Sequence, residues 1–307
     1  MEANLGTTGV IVLNIISACV MFGVALSLKV DDFTRIIKKP KAPAVGMVAQ
    51  FMLLPGLSTL AAYLLNIPAE YAAGMILIAC CPGGSISNMV TYLARGNVAV
   101  SVSMSAASSV MAIAMTPFNF AFYGSLLPQT RGMIQSIAID ASNILFLIVT
   151  ILAIPMIIGM YIGNRFPRFA TSAEKPFRIL TFTVLLVVVL GILSQNLESI
   201  KLFGVMLAGI LIGQNAMAML VGYLCARVTG LPVADQRAIT FEVGIQNSVL
   251  GVAIIVTFYP EMFGMLQIVG MWGMWHLISG LTLAHIWSRK SITAKTKDEP
   301  VLEVKAG

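Results

Sequence analysis

The sequence predicts an all-α, polytopic membrane protein with nine transmembrane helices. The 307 residues are 58% hydrophobic and only 10% charged, with a mean hydropathy of +0.91. Soluble domains carry about 25% charged residues, so this composition indicates a chain that is mostly embedded in a lipid bilayer. Nine apolar windows are long enough to cross a bilayer as helices, and short stretches with charges, Pro or Gly separate them.

The nine windows form a single transmembrane domain over residues 1–287. We expect the first helix to be retained, because residues 1–8 have no basic n-region and no small-residue cleavage site follows the first window. Residues 288–307 form a polar tail that we expect on the cytoplasmic side. The predicted spans are Thr7–Leu28, Ala42–Leu65, Ala72–Tyr92, Val98–Tyr123, Met133–Ile162, Phe177–Leu193, Leu202–Leu224, Ile239–Phe258 and Phe263–Trp287.

The basic residues predict the topology in the cell membrane. If the N-terminus lies outside, the cytoplasmic segments hold all of the 19 lysines and arginines except Arg131 and Lys201. The positive-inside rule therefore predicts an outside N-terminus, a cytoplasmic C-terminus and an odd number of helices. This distribution also accounts for the net charge of +6 without a nucleic acid partner, and no obligatory protein partner is evident.

The second and fourth spans carry oxygen-bearing side chains. Gln50 stands alone about one third of the way along the second span. Ser101, Ser105, Ser108 and Ser109 share one face of the fourth span, since helical neighbours recur every three or four residues. Small hydroxylated residues commonly let membrane helices pack closely, so the residues alone predict packing for this face more often than ion binding.

The third span is interrupted at its centre. Within Cys80–Asn88, Pro82 is followed by Gly83 and Gly84, and these residue types are the least able to continue a helix. We therefore expect the helix to break at mid-membrane. Lipid cannot pair with the freed backbone N–H and C=O groups, so protein, water, ions or substrate must do so. The break is a candidate binding site.

The eighth span contains a second interruption, in the segment Phe241–Ser248, where Glu242, Gly244 and two carboxamides lie near the bilayer centre. The third span runs from outside to inside and the eighth runs the other way. Two interrupted helices of opposite direction, five helices apart, are typical of an inverted repeat. On this basis spans 1–4 match spans 6–9, and the two broken helices cross at mid-membrane.

The fifth, seventh and ninth spans offer weaker candidates. Gly159–Gly163 and Gly209–Gly213 have the spacing of close helix packing. The polar pair Gln214–Asn215 interrupts the seventh span, and His276 lies in the middle of the ninth. This histidine either lines a cavity or hydrogen-bonds a neighbouring helix.

Glu242 is the only acidic residue near the middle of a span. A carboxylate at that depth costs roughly 2.5–3.5 kcal/mol on insertion scales, so a compensating cation is expected. No lysine or arginine lies there, and the partner would be a proton or a metal cation such as sodium, which suits oxygen ligands. The alternative is a protonated Glu242 that hydrogen-bonds between helices.

The two breaks also create electrostatic sites of both signs. The first half of a broken helix ends with unpaired carbonyl groups that attract cations, and the second half starts with free N–H groups that attract anions. Composition and topology alone therefore suggest a secondary transporter that couples a cation to a small, anionic solute.

The interrupted segments resemble the sodium/bile acid symporter family. The resemblance covers about Val20 to Trp287, and the chain is similar to a nine-helix form of the family. It implies a core domain made of spans 2, 3, 4, 7, 8 and 9, and a panel domain made of spans 1, 5 and 6. The segments that carry it are Cys81–Asn88, Leu93–Asn97 with Ser101, Val48–Phe51 and Phe241–Asn247.

The resemblance implies two sodium ions, bound at sites that share one carboxylate. The first site would use Ser87, Asn88, Ser101, Ser105 and Glu242. The second would use Gln50, the carboxylate of Glu242, the backbone oxygens of Val243 and Ile245, and Gln246. The solute would bind between core and panel, near Ser85, Asn247 and His276.

The function implied is symport of an organic anion with sodium into the cell by alternating access. Family substrates include bile acids, pantoate and other organic acids. Ser85–Ile86 replaces the usual threonine and small residue, and Leu277 stands where bacterial relatives have asparagine. The alternatives are a proton-coupled transporter in which Glu242 titrates and a sensor that binds the solute without moving it. An intramembrane protease is not expected, because no span pairs two aspartates and no His-Glu-x-x-His run occurs.

Overall fold

The computed structural model of the chain describes residues 15, 18–19, 21–23, 25–26, 28–84, 86–138, 153–195 and 197–289. The residues described between positions 15 and 26 are helical, and they belong to the first predicted span. The later helices, numbered in chain order, are α1 (Val30–Lys38), α2 (Lys41–Val48), α3 (Leu54–Leu64), α4 (Ala69–Cys80), α5 (Ile86–Leu93), α6 (Val98–Ser125), α7 (Pro128–Ala138), α8 (Ile154–Arg165), α9 (Pro167–Gln195), α10 (Leu197–Val228), α11 (Val233–Gly244), α12 (Ser248–Phe258) and α13 (Phe263–Ser288).

The protein is an all-α polytopic membrane protein, as the composition predicts. Three described segments are long and apolar enough to cross a bilayer, namely Lys41–Leu64, Val98–Ser125 and Gly204–Val228. The shorter apolar helices Ala69–Cys80 and Ser248–Phe258 are halves of the interrupted third and eighth spans. The count of nine helices stays a prediction, because residues 1–14 and 139–152 lie outside the described part of the chain.

Both predicted interruptions are present, and the two breaks pair with each other. Helix α4 ends at Cys80 and α5 begins at Ile86, while α11 ends at Gly244 and α12 begins at Ser248. Gly83 and Gln246 form an isolated antiparallel bridge, so the two irregular segments run in opposite directions. Gly84 N donates to Ile245 O at 2.7 Å, and Asn247 N donates to Pro82 O at 2.8 Å. Backbone groups freed by one break are therefore bonded by the other, as an apolar medium requires.

The turns that lead into the two broken helices have the same geometry. Asn66 and Gly230 both have positive φ, at 49° and 69°, and each lies two residues before a proline. Pro68 and Pro232 both adopt extended backbone, with ψ of 148° and 149°, immediately before α4 and α11. A left-handed residue after a helix and a following proline are common features of a helix C-terminus. The match supports the inverted repeat predicted from the sequence.

An acidic residue in the first turn of each broken helix binds the start of another helix. Glu70 of α4 accepts a hydrogen bond from Gly264 N, at the start of α13, at 2.6 Å. Asp235 of α11 accepts from Asn97 Nδ2, at the start of α6, at 2.7 Å. Carboxylates are favourable near helix N-termini. The third span is thus tied to the start of α13, which follows the eighth span, and the eighth span is tied to the start of α6, which follows the third.

The Gly159–Gly163 pair packs closely, as predicted, whereas Gly209–Gly213 meets no close neighbour in the described part of the chain. A Cβ atom at Gly159 or Gly163 would press against the backbone of Phe22 and Leu26, so the fifth span contacts the first through these glycines. A Cβ atom at Gly209 or Gly213 would meet nothing within 4 Å among the described residues. The spacing of small residues permits a close approach but does not supply the partner helix.

Several predicted boundaries are corrected. The seventh span is not interrupted at Gln214–Asn215, because α10 continues through both residues. The sixth span is longer than its apolar window, since α9 begins at Pro167 and contains Pro176. Only the ends of the fifth span are described, in α7 and α8, and α7 starts before the predicted Met133.

Helix α1 was not among the predicted elements. Its nine residues are too polar for an apolar window, yet acidic residues occupy its first turn and basic residues its last, which suits the helix dipole. Asp32 accepts from Lys29 N at 3.0 Å and forms an ion pair with Arg35 at 3.7 Å.

Candidate functional site

The centre of the crossing holds a buried carboxylate surrounded by hydroxyl groups. Glu242, in the last turn of α11, is fully buried. Its Oε2 accepts hydrogen bonds from Ser87 Oγ at 2.6 Å and from Ser101 Oγ at 3.3 Å. Its Oε1 accepts from Ser105 Oγ at 2.7 Å. These three partners are neutral, so they solvate the carboxylate without compensating its charge.

Helix geometry explains why these side chains meet. Ser101 and Ser105 are one turn apart on α6, so both project from the same face toward Glu242. Ser87 lies in the first turn of α5, and Asn88 follows it, with its Oδ1 at 3.4 Å from Ser105 Oγ. The structure thus brings together the five residues predicted for the first ion site.

Gly83 brings the backbone of the first break against the carboxylate. A Cβ atom at this position would lie 2.6 Å from Glu242 Cδ and would overlap Oε1. Only a residue without a side chain fits in this space. The Pro-Gly-Gly sequence therefore does more than end α4, because it also lets the broken segment reach Glu242.

The residues predicted for the second ion site form an adjoining group. Gln50 Nε2 lies 3.3 Å from Cys81 O and 3.4 Å from Gln246 Oε1. Gln246 Nε2 donates to Val243 O at 2.7 Å, and Ile245 O accepts from Gly84 N in the crossing. Gln50 is fully buried, and its Oε1 has no hydrogen-bond partner among the described residues. A buried amide oxygen of this kind suits a hard cation.

Gln50 lies in a π-helical turn, Ala49–Leu53, that joins α2 to α3. The turn was not predicted. Asn119 Nδ2 donates to Phe51 O at 2.7 Å, and Tyr123 OH donates to Met52 O at 3.0 Å, so side chains from α6 bond carbonyl groups of the irregular turn. Short π-helical turns within α-helices occur frequently at functional sites.

Two polar side chains bond the carbonyl ends of the two first half-helices; sequence reasoning missed Thr116 and gave Asn215 a different role, as an interruption of the seventh span. Thr116 Oγ1 donates to Cys80 O, the last residue of α4, at 2.8 Å. Asn215 Nδ2 donates to Gly244 O, the last residue of α11, at 2.8 Å, and Asn215 Oδ1 accepts from Ser279 Oγ at 2.5 Å. Thr116 lies three turns beyond Ser105, so extending the serine face of α6 would have found it.

Replacing Asn215 with alanine should destabilise the crossing. The change leaves Gly244 O and Ser279 without their amide partner, which costs about 1–3 kcal/mol for a buried polar group. We expect a lower melting temperature in detergent and a smaller upward shift on addition of sodium. Asn164→Ala is the control, because Asn164 also donates to backbone carbonyls, at Leu28 and Met160, but lies at an exposed helix end. Equal melting behaviour of the two variants would contradict this role for Asn215.

The predicted solute residues are only partly described. Ser85 lies outside the described residues. Asn247 caps α12, where its Oδ1 accepts from Leu250 N at 3.1 Å. His276 is buried in α13, and the Nδ1 atom of His276 has no hydrogen-bond partner among the described residues. One turn further along α13, Gly280 packs against Ile245.

A small cavity next to Asn247 separates the crossing from the first and fifth spans. One side of the cavity is lined by Asn247, Pro82, Ser109, Ala112, Ile113 and Leu250, and the other side by Met21 and Met156. Met21 belongs to the first predicted span and Met156 to α8, in the fifth. The cavity therefore lies between the spans predicted to form the core and those predicted to form the panel.

Arg237, near the start of α11, is buried. Its Nη1 donates to Ala94 O, just beyond the end of α5, at 2.6 Å. Its guanidinium also lies 5.7 Å from the centre of the Trp287 ring. A cation is favourable at a helix C-terminus, so the first turns of α11 stabilise the end of the second half of the other broken helix.

Fold and site together define a class of membrane protein in which two broken helices cross around a buried carboxylate. The sequence model described as the Sodium Bile acid symporter family matches residues 14–203, which include the first break but not the second. The chain belongs to this family. The protein is accordingly a transporter and not an enzyme, and the family and the relatives below indicate sodium-dependent transport.

Three relatives illustrate the range of similar proteins. The chain is 32% identical over 272 residues to an uncharacterized sodium-dependent transporter of Bacillus subtilis, YocS, and covers 81% of it with 88% of its own length. It is 35% identical over 276 residues to the probable chloroplastic sodium/metabolite cotransporter BASS1 of Arabidopsis thaliana, with 88% of this chain aligned to 65% of that protein. It is 32% identical over 255 residues to the human ileal sodium/bile acid cotransporter, with 81% and 70% aligned.

Proposed function

We propose that this protein carries a small organic anion into the cell together with two sodium ions, by alternating access. The observation that carries the proposal is the fully buried Glu242, held by three neutral hydroxyl groups at the crossing of two broken helices. A hydroxyl group keeps lone pairs free when it donates to a carboxylate. The same oxygens can therefore turn toward a cation that neutralises Glu242.

The ligand assignments of this proposal follow the two groups around Glu242. The first sodium ion binds Ser87, Asn88, Ser101, Ser105 and Glu242. The second binds Gln50, Glu242, the backbone oxygens of Val243 and Ile245, and Gln246. The unpartnered Gln50 Oε1 supports the second site, because a buried amide oxygen is costly unless it has a partner.

The anion binds beside Asn247, at the start of α12, between the crossing and the first and fifth spans. The cavity there measures about 10 Å³, which is room for one water molecule at most, so these spans must move apart from the crossing to admit the anion. Bile acids, pantoate and other organic acids are the candidate substrates. Sodium raises the affinity for the anion because it fixes the crossing, and linkage requires the anion to raise the sodium affinity by the same factor. Two sodium ions with a monovalent anion carry one net charge inward, which is worth about 2.3 kcal/mol per 100 mV.

Uptake into proteoliposomes tests this proposal. A thermal-shift screen of organic acids, with and without sodium, first selects a ligand. With that ligand labelled, an inward sodium gradient should raise initial uptake by about 5- to 150-fold over choline at the same pH and ionic strength, since coupling free energies between sites are typically 1–3 kcal/mol.

Other outcomes separate the alternatives. Uptake that is unchanged in choline but follows a pH gradient would favour proton coupling with Glu242 as the titrating group. Sodium-dependent binding without accumulation inside the vesicles would favour a solute sensor. Either result would overturn sodium-coupled transport.

A further inference from the structure

A long apolar groove runs along the outside of the protein between α10 and α13. It has a volume of about 530 Å³. The large side chains along it are about half exposed, so they face the bilayer and not the protein interior. They are Ile212, Leu220, Ile278 and Ile286, with exposures of 47%, 54%, 56% and 48%. Exposed apolar surface of this extent marks a membrane or protein contact.

The length of the groove matches one leaflet of a bilayer. Between Ile212 and Tyr223, α10 rises by about 17 Å, and half of the hydrocarbon core measures about 15 Å. Asn215 lines the deep end and donates to Gly244 O, so this end lies at the level of the break in the eighth span. Trp287, in the last turn of α13, lines the other end. An extended acyl chain fits between these two ends.

The end of the groove that lies toward the membrane surface carries aromatic rings and positive charge. The rings of Tyr223 and Trp287 lie 6.2 Å apart. Arg227 Nη1 donates to Tyr223 OH at 2.8 Å, and the guanidinium lies 5.8 Å from the centre of the same ring. Arg289 caps α13 directly after the groove, and both arginines are exposed. Tyrosine, tryptophan and arginine in this order are typical of the level where lipid headgroups begin.

We propose that this groove binds one anionic phospholipid, with an acyl chain along α10 and α13 and the phosphate group at Arg227 and Arg289. Tyr223 holds the Arg227 guanidinium in place, so part of the ordering that phosphate binding requires is already present. The deep end touches Asn215, which donates to the last residue of α11, and Ser279, which donates to Asn215. The lipid thereby contacts the group that supports one of the two breaks.

Native mass spectrometry of the full chain tests the headgroup contact. The protein, delipidated in detergent, is titrated with phosphatidylglycerol and with phosphatidylcholine. Arg227→Gln should weaken phosphatidylglycerol binding by about fivefold, the effect of one arginine at an anionic membrane surface. It should weaken phosphatidylcholine binding less, because the choline ammonium of that lipid offsets the charge of its phosphate group. Arg165→Gln is the matched control, because Arg165 also lies exposed in the last turn of a helix, 5.6 Å from the Phe166 ring, but away from the groove.

A second variant tests the acyl-chain contact. Ala216 is exposed and lines the groove, so Ala216→Phe should obstruct it and weaken binding of both lipids. Ala121→Phe adds the same ring to an exposed position on α6 outside the groove and serves as the control. The proposal would be overturned if Arg227→Gln and Ala216→Phe both bound phosphatidylglycerol as tightly as their control variants do. A dimer that Ala216→Phe dissociates, with lipid binding unchanged, would assign the groove to a second copy and would also overturn it.

Discussion

Replacing Glu242 with glutamine is expected to abolish the response to sodium while the protein still folds. The variant keeps the size of the side chain and one oxygen, which can accept from either Ser87 or Ser105, because the two serines donate to different oxygens of Glu242. It removes the carboxylate charge to which the hydroxyl groups of Ser87, Ser101 and Ser105 donate. Sodium-driven uptake should fall by at least about a hundredfold, because hydrogen-bonded charged groups at buried sites cost several kcal/mol when one partner is removed.

The thermal response distinguishes this effect from misfolding. Without sodium, the variant should melt at or above the temperature of the wild-type protein, since a buried, uncompensated carboxylate is costly in a membrane. Its melting temperature should not rise with sodium. Glu70→Gln is the control, because Glu70 is also a carboxylate in a broken helix but bonds Gly264 N near the other end of α4. A normal sodium response in Glu242→Gln would exclude Glu242 as a ligand.

Replacing Gly83 with alanine is expected to produce the second-largest effect. The added methyl group would overlap Glu242 Oε1, so either the carboxylate leaves its hydroxyl partners or the crossing opens. Both responses displace ligands of the proposed sodium sites. Overpacking of a tight site costs about 1–3 kcal/mol, so sodium affinity should fall by about 5- to 150-fold.

A second alanine variant shows whether the effect of Gly83→Ala comes from the overlap of the added methyl group with Glu242. Gly213→Ala places the same methyl group on α10, where nothing among the described residues lies within 4 Å. We expect this control to retain the melting temperature and the half-saturating sodium concentration of the wild-type protein in a thermal-shift titration. An unchanged sodium titration for Gly83→Ala would show that the carboxylate does not need its position against the break.

The features that the sequence could predict are those with a local chemical cause. Pro82 and the two following glycines cannot continue a helix, and the segment around Gly244 combines glycine with carboxamides, so both breaks were expected. The spacing of Ser101 and Ser105 fixed their common face. The grouping of these side chains around Glu242 was predicted from the resemblance to a family, because no local sequence pattern shows which helices contact each other.

The remaining features depend on partners that are distant in the chain. Gln214–Asn215 looks like an interruption in an apolar span, yet α10 continues because both amides bond carbonyls of other helices and leave their own backbone intact. The π-helical turn at Gln50 depends in the same way on Asn119, 68 residues from Phe51. The periodicity of one helix contains no information about such partners.

The mutual hydrogen bonds of the two breaks have a consequence for how the protein is made. Pro82 and Gly84 receive their partners from Ile245 and Asn247, which follow about 160 residues later. At a synthesis rate of about 5–20 residues per second, the first break is complete some 8–30 s before the second is made. During this interval its backbone groups need temporary partners, such as water or the insertion machinery. Biogenesis therefore includes a late step, after translation of the eighth span, in which the two breaks find each other.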